Sequence, residues 1–192
     1  SSDGTLDGET KLMIPNQVVR EQLYNYLLES CEQDEYQHDD YIRSQLSQRL
    51  AYYNEWQEYL GYIASRLQRY SSQRDKLKGE SFVHGFTLAM ASLNRFYRPV
   101  SEQDCQQGYV DLFLRPELEI YKDMRHSYII ELKYAKSKDT DQRVEQLRQE
   151  AIAQAHRYAD TEVVKRGVGH TQLHKIVVVY RGLEMVVCEE VG

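Results

Sequence analysis

The sequence predicts an α/β fold, with a mixed sheet flanked by helices and an N-terminal helical segment. Apolar residues recur at helical spacing through the first third of the chain, and short β-prone apolar runs follow Pro99. A long amphipathic pattern at about 141–160 separates the first three of these runs from the last two. The second half therefore has a core in the order α-β-β-β-α-β, followed by one further strand.

Helices are expected through most of the N-terminal segment. Asn16 follows a proline and can cap the free amides of a first helix. An acidic polar patch at 32–40 separates this helix from a second one at about 41–51. A third helix is expected to begin near Asn54, where apolar residues again recur on one face.

A polar stretch at 71–79 is interpreted as a hinge, which divides the chain into a helical segment, 1–78, and a second domain, 79–192. The patterns in the second domain predict a helix at 80–96, strands near 98–103, at 109–115 and at 127–134, a helix at about 141–160, and a terminal hairpin formed by 175–180 and 183–188.

Composition excludes several classes of protein. A hydrophobic content of 41% and a charged content of 28% indicate a soluble globular protein, and no apolar run approaches the roughly 20 residues of a membrane span. The 192 residues suit one domain with a helical appendage or two small domains. No secretory signal is visible, and the three cysteines lie far apart, so we expect free thiols in a reducing, cytoplasmic compartment.

Glu131 and Lys133 are the most informative residues, because they interrupt an apolar, β-prone run. Successive residues of a strand point to opposite faces, so these two side chains share one face. Asp111 lies in a similar run upstream. If the two runs pair, the carboxylates can hold a divalent cation while the lysine lies beside an attacking water or a phosphate. The alternative is that Glu131 and Lys133 form salt bridges on a sheet surface.

The ordered motifs resemble those of the PD-(D/E)XK nuclease superfamily, which has the restriction-endonuclease-like fold. In chain order they are Ile14-Pro15-Asn16, Glu80-x-x-x-His84-Gly85, Glu102, Gly108-x-x-Asp111, Ile130-Glu131-x-Lys133 and Gln154-x-x-x-Tyr158. The set is similar to the C-terminal nuclease-like region of bacterial, often Bacteroides-type, proteins that carry an AAA-type ATPase-like domain ahead of it. The resemblance implies an attached ATPase-like domain in a longer protein. No Gly-rich phosphate-binding loop occurs in this sequence, so the ATPase itself is expected to lie outside it.

The resemblance implies a role for each motif residue. Asp111 and Glu131 would hold Mg²⁺ or Mn²⁺, and Lys133 would orient the nucleophilic water and stabilise the phosphate. Glu80 would be a further metal ligand, and Gln154 would position water or a phosphate oxygen. The sequence departs from the family pattern beside the first acid, where valine replaces the usual proline and a tyrosine stands in place of a frequent arginine.

Three of the motif residues also have ordinary structural explanations. Glu80 in the first turn of a helix complements the helix dipole. His84 follows one turn later as a possible accessory residue, or as a buried or solvated helix histidine. Tyr158 lies one turn after the glutamine, and it can equally pack on the apolar face that carries Leu147 and Ala151.

Three functions remain open on this reading. The first is a metal-dependent nuclease that hydrolyses nucleic acid, with DNA preferred. The second is a non-catalytic nuclease-fold module that binds or regulates an ATPase or another protein, which the formal net charge of −6 and the missing arginine favour. The third is an interaction protein that works through its first 75 residues. The sequence does not define an oligomeric state.

Overall fold

The computed structural model describes residues 33–73, 78–104 and 109–192, and within them the side chains of 39–72, 78–101 and 112–192. The elements of these ranges are, in chain order, α1 (Gln33–Tyr53), α2 (Trp56–Gln73), α3 (Glu80–Ser92), β1 (Tyr97–Asp104), β2 (Tyr109–Pro116), β3 (His126–Ala135), α4 (Asp141–Ala159), α5 (Glu162–Gly167), β4 (Gln172–Arg181) and β5 (Glu184–Val191).

The five strands form a single mixed sheet in the order β1-β2-β3-β4-β5. The first three strands are successive antiparallel neighbours, β4 runs parallel to β3, and β5 returns antiparallel to β4. A parallel pair needs a crossover connection, and α4 with α5 provides it. In this order β3 is the central strand, and it is buried along most of its length. This architecture confirms the predicted restriction-endonuclease-like α/β fold.

Each face of the sheet packs against its own group of helices. On one face, alternate residues of β2, β3 and β4 share a buried cluster with α1, α2 and α3; those strand residues are Leu112, Leu114, Tyr128, Ile130, Leu132, Ile176, Val178 and Tyr180. On the other face, a second cluster joins the sheet to α4 and α5; its strand residues include Phe113, Ile129, Val177 and Val179. The period-2 alternation of β3 thus places Glu131 and Lys133 on the α4 face.

The helices α1 and α2 are joined to the sheet by polar contacts as well as by the buried cluster. The Tyr128 hydroxyl lies 2.8 Å from the Leu50 carbonyl oxygen and 2.9 Å from Asn54 Oδ1. Arg66 forms a buried ion pair with Asp39, which links the two helices to each other. The division into domains 1–78 and 79–192 stays a prediction. The described helices of the first segment share a buried core with the second.

Two local predictions need correction, and one element was not predicted. The patch at 32–40, which we expected to separate two helices, is helical from Gln33 onwards. The helix expected at 80–96 ends at Ser92. The six-residue helix α5 was not predicted at all. The helix expected from Asn16 lies outside the described residues.

Two further expectations concern the cysteines and membrane-spanning segments. Cys188 is a free thiol, as predicted, whereas the other two cysteines lie outside the described residues. Within the ranges that the structure describes, no helix is long and apolar enough to span a bilayer.

Candidate active site on the central strand

The register of the sheet brings the two predicted acidic positions together. Asp111 of β2 is the direct partner of Glu131 of β3, and Glu102 of β1 is in turn the partner of Asp111. Residues opposite each other in an antiparallel pair have Cβ atoms roughly 5 Å apart. The side chains of Asp111 and Glu102 lie outside the described residues, so the pairing of these positions rests on the backbone. The register thus confirms the prediction that the runs around Asp111 and Glu131 pair as neighbouring strands.

Glu131 and Lys133 form an ion pair that solvent does not reach. The Lys133 Nζ atom lies 3.2 Å from Glu131 Oε1, and the two side chains are 1% and 0% exposed. Removing two charges from water is costly unless they compensate each other and receive hydrogen bonds. The two residues thus form the ion pair that the alternative expected, but the pair is buried and does not lie on a solvated sheet surface. The strand therefore holds a carboxylate and an ammonium group side by side in a medium that strengthens their electrostatic effects.

Gln154 of α4 contacts the ammonium group of Lys133. Lys133 Nζ donates a hydrogen bond to Gln154 Oε1. The helix is fixed at its start by Thr140, whose side chain accepts from the Arg143 backbone amide at 3.2 Å. The structure thus brings Gln154 to Lys133, with its carbonyl oxygen directed at the lysine.

Glu80 and His84 lie one turn apart on α3, close enough to Lys133 for its charge to act on both. Partial burial raises the pKa of Glu80, and the Lys133 charge opposes that rise. Burial and, secondarily, the Lys133 charge lower the pKa of His84 to about 4, so this histidine is neutral near pH 7. Gly79 supports this placement, because its φ of 94° is accessible to glycine and starts the helix directly before Glu80.

Two tyrosines lie on the same elements, Tyr158 on α4 and Tyr134 on β3. Tyr158 is buried in the cluster that α4 forms with the sheet, as the packing explanation of the sequence expected; an accessory role for it stays a prediction. Tyr134, which sequence reasoning did not single out, follows Lys133 on β3. Burial raises its pKa, and the Glu80 charge adds to the rise. Its position next to the lysine was the only sequence signal, and an aromatic residue in a strand is too common to be informative.

The donor groups suit a hard divalent cation. Carboxylate oxygens are the ligands that Mg²⁺ and Mn²⁺ prefer, and Glu131 offers a carboxylate directly opposite the Asp111 position. Among the side chains of 39–72, 78–101 and 112–192, no three His, Cys, Asp or Glu residues are grouped to hold a metal ion. Asp111 is not among those side chains, so a site formed by Asp111 and Glu131 would combine a described and an undescribed ligand.

The mixed five-stranded sheet with a buried acid–lysine pair on its central strand defines a restriction-endonuclease-like α/β domain. A family model described as the PD-(D/E)XK nuclease superfamily matches residues 78–190, and the chain therefore belongs to this superfamily. Comparisons with curated proteins and with solved structures gave no significant match. Membership suggests nuclease-type activity, nucleic-acid binding and, as is general for these nucleases, dependence on a divalent metal.

Proposed function

We propose that this protein is a metal-dependent nuclease that hydrolyses phosphodiester bonds of DNA. The observation that carries the proposal is the buried Glu131–Lys133 pair on the central strand, opposite the Asp111 position. A charged pair at 0% and 1% exposure contributes little net stability, so a structural role alone explains it poorly. An acid that holds a cation and an ammonium that faces a phosphate explain both charges at once.

Each residue has a defined part in the proposed reaction. Asp111 and Glu131 hold Mg²⁺ or Mn²⁺, and Glu80 is a candidate for a further contact. A water attacks phosphorus in line: its oxygen forms the new P–O bond and its proton passes to solvent, while the ester P–O bond breaks and the leaving oxygen takes up a proton from solvent. Lys133 stabilises the charge that develops on the phosphate, since an ammonium group beside carboxylates stays charged and suits this role better than general-base catalysis.

The metal and the neighbouring neutral groups complete the site. A bound divalent ion supplies a Lewis acid that activates water and offsets negative charge on the phosphate. His84, neutral near pH 7, adds no positive charge that would compete with a cation for the carboxylates. Gln154 orients groups around the lysine.

The wider setting is proposed on motif order alone. We propose that the chain works in the cytoplasm as the C-terminal module of a longer protein with an AAA-type ATPase-like domain. The support is the Ile14-Pro15-Asn16 signal ahead of the nuclease motifs, which the resemblance associates with such an arrangement.

Cleavage assays test the proposed activity. Plasmid and single-stranded DNA are incubated with Mg²⁺ or Mn²⁺ and with wild type, Glu131→Ala or Lys133→Ala. Lys136→Ala is the matched control, because this exposed lysine lies just beyond β3. We expect metal-dependent cleavage by wild type and the control, and a loss of at least about 100-fold in the two site variants. Equal cleavage by all four proteins would point to a contaminant or a different site.

One observation favours a second candidate, a non-catalytic binding module. The formal net charge of −6 lacks the basic footprint typical of nucleic-acid proteins, and Tyr109 replaces an arginine that would contact phosphate. Titration calorimetry with Mn²⁺ separates the two. If wild type neither cleaves DNA nor binds Mn²⁺ more strongly than Glu131→Ala, the nuclease is contradicted and the non-catalytic module is favoured.

A further inference from the structure

We propose that Gln154 is a positioning residue, which acts on the substrate through Lys133 by fixing its ammonium group without neutralising it. This inference rests on the proposed nuclease function and changes the role that sequence reasoning gave to Gln154. The sequence suggested that the amide holds a water or a phosphate oxygen directly. In the structure its carbonyl oxygen, the atom that would accept from such a water, is directed at the lysine.

The lysine side chain is flexible. It is long and has several rotatable bonds, and placing the ammonium group to within a fraction of an ångström requires more than one anchor. Glu131 Oε1 is one anchor at 3.2 Å, and Gln154 Oε1 is another from a different element. Together, a strand carboxylate and a helix amide restrict the ammonium group from two directions.

The side-chain amide of Gln154 is neutral. Burial requires that the N–H groups of Lys133 find acceptors. A second carboxylate from α4 would satisfy the lysine but would cancel the positive charge that the phosphate needs. An amide carbonyl accepts the hydrogen bond and carries no net charge, so the ammonium group keeps its electrostatic effect. Glutamine is thus chemically suited to this position.

The packing of α4 against the sheet brings the Gln154 amide to Lys133. Ala151 and Ala155 are fully buried against the sheet on either side of Gln154. Such small side chains allow the helix to lie close to β3, within reach of a glutamine side chain. The distance between α4 and the strand is therefore set by alanine packing, and the hydrogen bond to Lys133 follows from it.

Two substitutions test the proposal, with the 192-residue chain and plasmid DNA in Mg²⁺. Gln154→Met keeps the length of the side chain and removes the carbonyl acceptor, whereas Gln154→Glu keeps an acceptor. Gln146→Met, at an exposed glutamine of the same helix, is the matched control. Steady-state cleavage gives kcat and KM, and NMR relaxation of ¹³C-labelled lysine reports the mobility of the Lys133 ε-methylene group. Its signal is assigned from the spectrum of Lys133→Met.

We expect Gln154→Met to lower kcat on the order of tenfold or more with KM nearly unchanged, and to mobilise the Lys133 ε-methylene group. Gln154→Glu should restore the rigidity of that group, and Gln146→Met should change neither quantity. A raised KM with an unchanged Lys133 mobility would overturn the proposal in favour of direct phosphate contact. If wild type does not cleave DNA, the nuclease function fails, while unaltered mobility in Gln154→Met would separately refute the positioning role.

Discussion

Glu131 and Lys133 are balanced against each other, so the effect of changing one depends on the state of the other. A buried ion pair contributes little net stability, because its attraction is offset by the desolvation of both charges. Removing one partner instead leaves an uncompensated charge in a medium of low polarity. The site is consequently sensitive to single substitutions that change charge, even when these preserve volume.

Lys133→Met is expected to lower the free energy of unfolding by about 3 kcal/mol, because it leaves the buried Glu131 carboxylate without its 3.2 Å partner. The double variant Glu131→Gln/Lys133→Met should recover a substantial part of the loss. Urea unfolding followed by circular dichroism measures both, with Lys136→Met as the exposed control. A double variant no more stable than Lys133→Met alone would contradict the coupling.

His84 gives a pH dependence of defined sign. Its folded-state pKa of about 4 lies below the ordinary 6.5, so the unfolded chain takes up a proton first as the pH falls. The stability tied to neutral His84 is thus complete above pH 6.5 and is lost as the pH falls towards 4. Between pH 7 and pH 5 this amounts to about 2 kcal/mol.

His84→Gln should remove that part of the pH dependence, because glutamine does not titrate. The measurement is the free energy of unfolding at pH 7 and pH 5 for wild type, His84→Gln and His170→Gln, the last at an exposed histidine. Identical slopes for wild type and His84→Gln would show that His84 is not held neutral by burial.

At the scale of elements, α1 and α2 are fixed to the central strand by a tyrosine. Tyr128 is completely buried, and its hydroxyl lies at the turn between the two helices, near the Leu50 carbonyl and the Asn54 side chain. Asn54 has a φ of 57°, a left-handed conformation that asparagine tolerates better than most residues. The turn therefore combines a strained backbone position with a buried hydrogen bond from the sheet.

Tyr128→Phe is expected to cost about 1–2 kcal/mol of stability, because it leaves a buried carbonyl without its donor. Tyr128 lies on the face of the sheet opposite Glu131, so DNA cleavage by the folded variant should equal that of wild type. Thermal unfolding and the cleavage assay check the two parts. The matched control is Tyr53→Phe, at an exposed tyrosine that ends α1. Wild-type stability in Tyr128→Phe would show that the contact is not retained in solution.

The sequence predicted elements that have a local signal and missed those that depend on distant partners. The strands around Asp111 and Glu131 were found, because apolar β-prone runs and alternation are local properties. The start of α1 was missed because its first turns are polar; Asp39 is buried there by Arg66, a partner 27 positions along the chain. Helix α5 has six residues, too few for a helical period to show.

The candidate site follows the same rule. The common face of Glu131 and Lys133 follows from strand geometry and was predicted. The hydrogen bond from Lys133 to Gln154 depends on the packing of α4 against β3, which no local pattern contains. Outside the candidate site, the polar array His126–His174–Glu190, with contacts of 2.9 Å and 2.5 Å, requires the register of three strands and was likewise not foreseen.

For the molecule as a whole, α1 and α2 are part of the nuclease-like core. The family match begins at residue 78, yet one face of the sheet is covered by α1 and α2 together with α3. Helix residues such as Trp56, Tyr59 and Leu67 belong to the same buried cluster as the strands. The third function considered from sequence, an interaction surface on these helices, would have to use their outward sides, since the apolar sides are occupied.

A fragment of residues 78–192 is therefore expected to aggregate or to bind a hydrophobic dye, because the loss of α1 and α2 exposes a large apolar sheet face. Near-ultraviolet circular dichroism and dye fluorescence compare it with the full chain. As a control, residues 33–192 retain both helices and should behave like the full chain. A monomeric, cooperatively folding fragment would show instead that the helices are dispensable.

The withdrawal of Glu131 and Lys133 from solvent also sets a kinetic condition on any reaction there. A phosphodiester cannot touch an ammonium group that is 1% exposed until the surrounding structure opens. Turnover would then equal the rate in the open state multiplied by the small fraction of molecules that are open. Mild loosening, by warming or by low urea, should first accelerate cleavage and only later abolish it. Burial of the charged pair would thereby limit the rate of the proposed reaction.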